Sequence, residues 1–204
     1  MSGGHGCPMN WKQKKRYETL LACERGLIKK VWGTGHTVCL AYPNAYRIGM
    51  ANLGFQTVYK TINELPFFLC ERAFLSVTGD GAESVTGAAE IVSLENQKPL
   101  GDFDILAFSI SFENDYPSVL KMLDAGGIPL KAKDRGQTHP LVIGGGIALT
   151  LNPEPLSDFF DVFLPGEAEE TLRVFAEVFN RGRQGRLDRK ALLADLQKSV
   201  PGLY

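Results

Sequence analysis

The sequence predicts an α/β fold: a mostly parallel β-sheet with helices on both faces. Three observations carry that expectation. Runs such as Ile105–Ile110 and Leu141–Ile143 are apolar almost without interruption, the mark of strands buried on both sides rather than one. Between such runs lie segments whose apolar residues recur at helical spacing, so strand and helix alternate as they do when helices cross over between parallel strands. The runs also end in breakers, among them Pro43-Asn44, Gly126-Gly127 and Gly144-Gly145-Gly146, which mark the bends of such a chain.

Taken in order, residues 1–10 read as a loose tail and residues 11–31 as a helix. That helix has a patchy apolar face of Leu20, Leu21, Leu27 and Ile28 and is weakened by Gly26. Thr37–Tyr42 is the first strand. The segment 51–65 carries Leu53, Val58, Ile62 and Leu65 near helical spacing and closes at Pro66. A strand over 69–76, a Gly-rich, weakly ordered stretch over 79–88 and a short strand at Ile91–Leu94 come next. The buried run Ile105–Ile110 leads to an amphipathic helix at Tyr116–Ala125, and Leu141–Ile143 runs into the three glycines. After Asn152-Pro153-Glu154-Pro155 come the strand Val162–Leu164, a helix from Glu167 to about Asn180, and a last helix from Asp188 to about Gln197. The expected organisation is a tail and helical extension over 1–36, an α/β domain over 37–182, and a C-terminal helix with the start of a linker over 183–204.

A chain of 204 residues is long enough to bury a core without staples. Its 44% apolar and 22% charged residues argue against disorder. The net charge of −1 is unevenly spread: residues 1–30 carry +5 and the remainder −6. The basic run Lys12, Lys14, Lys15, Arg16 reads as a solvated helix face, and no nucleic-acid partner is evident. No stretch approaches the ~18 apolar residues of a membrane span, and no secretory signal precedes residue 30. Cys7, Cys23, Cys39 and Cys70 are spaced by 16, 16 and 31 residues. Zinc and redox sites need thiols about two residues apart, so these read as reduced, mostly structural thiols of a cytoplasmic protein. His5 and Cys7 in the tail are at most an adventitious metal contact.

In parallel α/β sheets ligands bind outside the carboxyl ends of the strands, which makes 43–49, 109–115, 144–149 and 165–167 the candidate positions. A Walker phosphate loop is absent from the sequence. The bend Pro43-Asn44-Ala45-Tyr46 lacks the glycines of a dinucleotide fingerprint. A phospho-acceptor site would need carboxylates where Asn44, Ser109 and Ser111 stand.

What those bends do carry is an ordered set of strings. Asn44-Ala45-Tyr46-Arg47-Ile48-Gly49 has the spacing of D-x-H-x-x-G, Ser109-Ile110-Ser111 that of S-x-L, and Gly144-Gly145 supplies a Gly-Gly pair. With Tyr42-Pro43-Asn44, the segment 49–56, Asn152-Pro153-Glu154-Pro155 and Gly166-Glu167-Ala168-Glu169-Glu170, the region from Thr37 to Leu172 resembles the N-terminal cobalamin-binding-like domain of a group of uncharacterised radical S-adenosylmethionine (radical SAM) proteins. The resemblance implies a flavodoxin-like, Rossmann-like sheet and a cofactor site made by Asn44, Tyr46, Arg47, Gly49, Ser109, Ser111, Gly144, Gly145 and Gly146.

Two departures qualify what it implies. Asn44 and Tyr46 stand where the family has the Asp and the His that binds cobalt, and a phenol with a pKa near ~10 is a poor ligand. His36 and His139 each precede a strand, so both fall at the amino end of the sheet; any cobalamin would lack a histidine from this chain. The C-x-x-x-C-x-x-C of the iron–sulfur cluster is also absent. The cluster and S-adenosylmethionine are therefore expected in a C-terminal part beyond Tyr204, with this chain as the amino-terminal piece of a longer enzyme, catalysing nothing alone. Its partner would be its own radical SAM barrel, against which it positions a corrin or substrate. The alternative is a degenerate α/β scaffold that no longer binds cobalamin and serves as an interdomain or protein-interaction module.

Bland readings stand beside these. Tyr46 either faces a corrin or packs in the turn on Met50; Asn52 caps a helix; Ser109 and Ser111 bond ligand or nearby backbone. Glu113 and Asp115, carboxylates near the crevice, either accept protons or contact ligand, with helix capping by Asp115 the simpler reading; Glu167, Glu169 and Glu170 read as first-turn acids favoured by the helix dipole.

Overall fold

A computed structural model of the chain describes residues 11–33, 35–77 and 91–204. The tail 1–10 and the whole Gly-rich stretch expected at 79–88 lie outside them. Five strands, β1 (His36–Ala45), β2 (Phe68–Ser76), β3 (Ile105–Ser109), β4 (Leu141–Gly145) and β5 (Val162–Leu164), form one sheet in the order β2-β1-β3-β4-β5. Every adjacent pair is parallel. The helices are α1 (Trp11–Cys23), α2 (Tyr46–Met50), α3 (Leu53–Glu64), α4 (Tyr116–Ala125), α5 (Ile147–Leu151), α6 (Ala168–Gln184) and α7 (Arg189–Ser199).

The alternation of side chains across each strand builds two cores. Leu40, Ala107 and Ile143 face one side, where Tyr17 of α1, Phe55 and Ile62 of α3, Phe175 of α6 and Leu196 of α7 pack on them. Cys39, Leu106 and Val142 face the other, against Val119 and Met122 of α4 and Leu149 of α5. This is the flavodoxin-like layout that the uninterrupted apolar strands required.

Several elements differ from the sequence expectation. The strand β1 continues through Pro43-Asn44 to Ala45, with a register irregularity between Tyr42 and Ala45; the slip gives Pro43, which has no N–H, a place outside the regular ladder. Helix α1 stops at Cys23 rather than near 31, and Gly26 beyond it has a φ of 81°. Residues 91–94 are not a strand. They form part of a turn closed by an isolated antiparallel bridge between Val92 and Pro99, and they cover the outer edge of β2 largely through side chains. The Leu94 amide donates to the Arg72 carbonyl (2.6 Å), but the Arg72 amide donates to the Glu95 carboxylate (2.7 Å) instead of to backbone.

That edge hides an ionic cluster. The Arg72 side chain is 2% exposed and bridges Glu95 and Glu24, each at 2.7 Å, with its guanidinium over the Tyr59 ring. Burial pushes the Glu95 carboxyl up, and Arg72 opposes that push. Glu24 lies just past α1, so the pair ties the N-terminal extension to the sheet.

Candidate functional site

At the carboxyl end of the sheet a cavity of about 340 Å³ opens between the first turns of α3 and α6, inside the range of ~300–1,000 Å³ usual for small-ligand pockets. Its floor is the α3/α6 side of the sheet: Leu40, Ala107, Ile143 and Leu164. Val58 and Leu172 wall it from the helices, and its polar groups are Asn52, Thr57, Ser109 and Ser111. Among the described residues no charged side chain lines it. The chemistry on offer is apolar contact with a flat group plus hydroxyl and amide hydrogen bonds at one rim.

Asn52 organises that rim. Its Oδ1 accepts from the Phe55 amide (2.9 Å), capping α3, while its Nδ2 donates to Ser111 Oγ (2.9 Å). The cap expected from sequence is present, and the same side chain joins α3 to the loop after β3. That leaves the Ser111 hydroxyl its proton to donate.

The three glycines act in three ways. A Cβ on Gly144 would stand 2.6 Å from Leu149 Cδ1 and 2.8 Å from Phe160, so its bareness serves packing on the α4/α5 face. Gly145 faces the cavity, where a Cβ would meet only the Leu164 carbonyl at 3.4 Å. Gly146 has a φ of 107°, and a Cβ there would lie 2.4 Å from the Ile110 carbonyl oxygen; only glycine permits that backbone approach. Ile110 is stitched to this bend, donating to the Gly145 carbonyl (2.9 Å) and accepting from Ala148 (3.3 Å).

Of the nine residues singled out in the sequence, Ser109, Ser111, Gly144, Gly145 and Gly146 meet around this cavity. Asn44, Tyr46, Arg47 and Gly49 stand beside it and contribute nothing to its lining. The bends at 109–111 and 144–146 thus gather as expected, and the 43–49 bend does not join them. Tyr46 donates its hydroxyl to Glu24 (2.6 Å) and sets its ring edge-on to Phe74. Burial and Glu24 both push that phenol above its ordinary range. The Asn44 amide donates to Asp115 Oδ1 (2.8 Å), and its own Oδ1 accepts from the Ala45 amide. Arg47 is exposed, and Gly49 packs too close to Phe74 and Tyr42 for a side chain. Asp115 does not cap α4 through its side chain: it turns to Asn44, and its Oδ2 is buried without a hydrogen-bond partner.

Sequence reasoning missed Thr57, Val58 and Leu172 as lining residues. The signal for Thr57 was available, because it lies one turn after Gly54 on the same helix face.

The residues present match a corrin only in part. The slot at Gly145 and its hydroxyl rim suit a flat, uncharged ring, whereas the phosphate of a corrin's nucleotide tail would find no cation among the described lining residues. Among the described residues none at this edge offers cobalt an imidazole: His36 begins β1 and bonds Asn180, and His139 precedes β4. Among the described residues no cluster of three His, Cys, Asp or Glu could hold a metal. Cys39 and Cys70 are buried free thiols, pushed up mainly by burial, and Cys23 is free and exposed. No helix among the described residues is long and apolar enough to cross a membrane.

Comparison with known proteins adds to this geometry. The family described as "Radical SAM proteins, N-terminal" matches residues 54–204. The uncharacterized protein MJ0966 of Methanocaldococcus jannaschii is 27% identical over 146 residues, which cover 71% of this chain and 26% of that protein. The chain therefore spans about a quarter of the length of the curated relative it matches. No solved structure matches it. The matched region includes α3, every strand after β1 and the walls of the cavity, so the chain belongs to the N-terminal family of radical SAM proteins.

Proposed function

We propose that this chain is the accessory binding module of a radical SAM enzyme, holding the flat, uncharged end of a corrin or of a substrate at the carboxyl edge of its sheet, next to a catalytic barrel that follows residue 204. The observation that carries this reading is the cavity itself: Gly145 leaves space at the end of a buried strand, and no charged side chain stands in its lining among the described residues. A phosphate or carboxylate would find no cation among them. A neutral ring would find apolar walls and the Asn52–Ser111 rim.

The roles of this chain's residues follow from the geometry. Val58, Leu172 and Ile143 exclude water from the ring, Ser109 and Ser111 bond its heteroatoms, and Gly145 leaves room for it. Reductive cleavage of S-adenosylmethionine at an iron–sulfur cluster belongs to the catalytic part in this reading, and the described residues take no share in it. If a corrin is the ligand, its cobalt takes no side-chain ligand from them.

A second reading is a scaffold that has lost its ligand. It is favoured by Asn44 and Tyr46, whose side chains are engaged by Asp115 and Glu24. Gel filtration with hydroxocobalamin at about 100 μM separates the two, because retention there requires binding stronger than about −5.5 kcal/mol. Co-eluting pigment that is lost in Gly145→Val supports the binding module. Clean separation for the unaltered protein supports the scaffold.

A further inference from the structure

Half of the large apolar side chains that the described residues leave exposed stand at one edge. Ile48, Leu53, Phe112, Ile147 and Leu151 are 45–78% exposed, and all five come from the loops that follow β1, β3 and β4. These are adjacent strands, so the loops are neighbours. Two bonds hold them side by side: Asn52, next to Leu53, donates to Ser111, next to Phe112; and Ala148, next to Ile147, donates to Ile110. Together they make an apolar rim along the carboxyl edge, and one of its members, Ile147, also lines the cavity. Monomeric proteins seldom gather large exposed apolar side chains at one edge unless something covers them.

The rim also sits on a fixed frame. Tyr116 donates its hydroxyl to the Ala148 and Asn152 carbonyls (3.3 and 3.0 Å), bracing α5 against α4. A braced apolar edge loses little conformational entropy on docking.

We infer that this rim is the docking face for the catalytic part of the same polypeptide, and that docking caps the cavity so that its ligand is enclosed between the two parts. The inference rests on the reading that the chain continues into a radical SAM catalytic part. The occupant is argued from length: the matched relative is about four times as long as the region it shares with this chain, of which it devotes 26% to the match. Most of such a polypeptide lies outside the structure, and interfaces between parts of one chain are usually about 600–1,500 Å², a scale at which five large apolar side chains form a core.

The test uses the full-length protein with a photoreactive benzophenone amino acid at position 53 or 151, and at exposed position 11 on α1 as a control. Irradiation followed by peptide mapping is expected to give intrachain cross-links from 53 and 151 to residues beyond 204, at least fivefold above those from 11. The variant Leu53→Gln/Leu151→Gln, unaltered in the cavity lining, is expected to expose the connection after residue 204 to limited proteolysis severalfold faster. Cross-links joining two copies of the chain, or none above the control at either position, overturn the docking face. A full-length polypeptide with no catalytic part beyond 204 removes the underlying reading instead, and its mass shows that before any irradiation.

Discussion

The Asn44 side-chain amide donates to Asp115 Oδ1 at 2.8 Å, joining the end of β1 to the first turn of α4 across the carboxyl edge of the sheet. It satisfies one carboxyl oxygen only; Oδ2 is buried without a partner. Burial pushes the Asp115 carboxyl above the usual carboxylate range, and the Asn44 bond pulls the other way.

A pH dependence follows. Because the folded state holds this proton more tightly than the unfolded chain, Asp115 adds stability below its unfolded pKa near ~3.9. That contribution is lost as the pH rises through the higher folded value. Asp115→Asn keeps an acceptor for Asn44 and removes the buried charge. Its urea midpoint is expected to match wild type near pH 4 and to exceed it at pH 7, by up to about 1 kcal/mol. A variant less stable than wild type at pH 7 would show that the Asn44 bond outweighs burial.

Arg72 neutralises both Glu24 and Glu95 at 2.7 Å from a position 2% exposed. Arg72→Met leaves two carboxylates unpaired, one of them fully enclosed, and is expected to lose about 3–5 kcal/mol in denaturant titrations. Arg72→Lys recovers little, since one ammonium cannot span two carboxylates and stack on Tyr59. The loss in Arg72→Met shrinks as the pH falls and Glu95, already pushed up by burial, takes up a proton.

Gly145 and Gly146 separate binding from folding. Gly146→Ala places a methyl 2.4 Å from the Ile110 carbonyl at a φ of 107°, and is expected to lose more than about 2 kcal/mol of stability. Gly145→Ala meets only an ordinary contact at 3.4 Å. Its melting temperature is expected to stay within a few degrees of wild type while retention of a cavity ligand weakens, measured by co-elution.

Tyr46 distinguishes a structural phenol from a ligand. Its hydroxyl donates to Glu24 at 2.6 Å, so Tyr46→Phe is expected to lower stability by about 1–2 kcal/mol and to leave hydroxocobalamin retention unchanged. Retention that disappears with the hydroxyl, at unaltered melting temperature, would return Tyr46 to the site.

How much of this was legible in the sequence depends on the kind of signal. The runs at 105–110, 141–143 and 162–164 announced themselves because a strand buried on both faces is apolar almost throughout. The helix at Tyr116–Ala125 was bounded by its own periodicity and by Gly126-Gly127. Strand β2 was harder to read fully, because Glu71 and Arg72 are charged residues inside a buried strand, and nothing local says that Glu24 and Glu95 will reach them. The segment 91–94 has strand-like composition, yet it gives the edge of β2 one backbone bond, from Leu94, and the Glu95 carboxylate takes the place of the next.

The sequence by itself determined the fold class, the parallel order of events along the chain, and the glycine bend at 144–146, since each follows from local periodicity or backbone freedom. Only the tertiary structure decided which bends share a cavity. The 43–49 loop carries the most suggestive string, but Glu24, from an extension twenty residues earlier, draws Tyr46 away, while Asp115 holds Asn44. Those partners are distant in sequence, and their pull depends on burial and distance, quantities that exist only once the chain has folded.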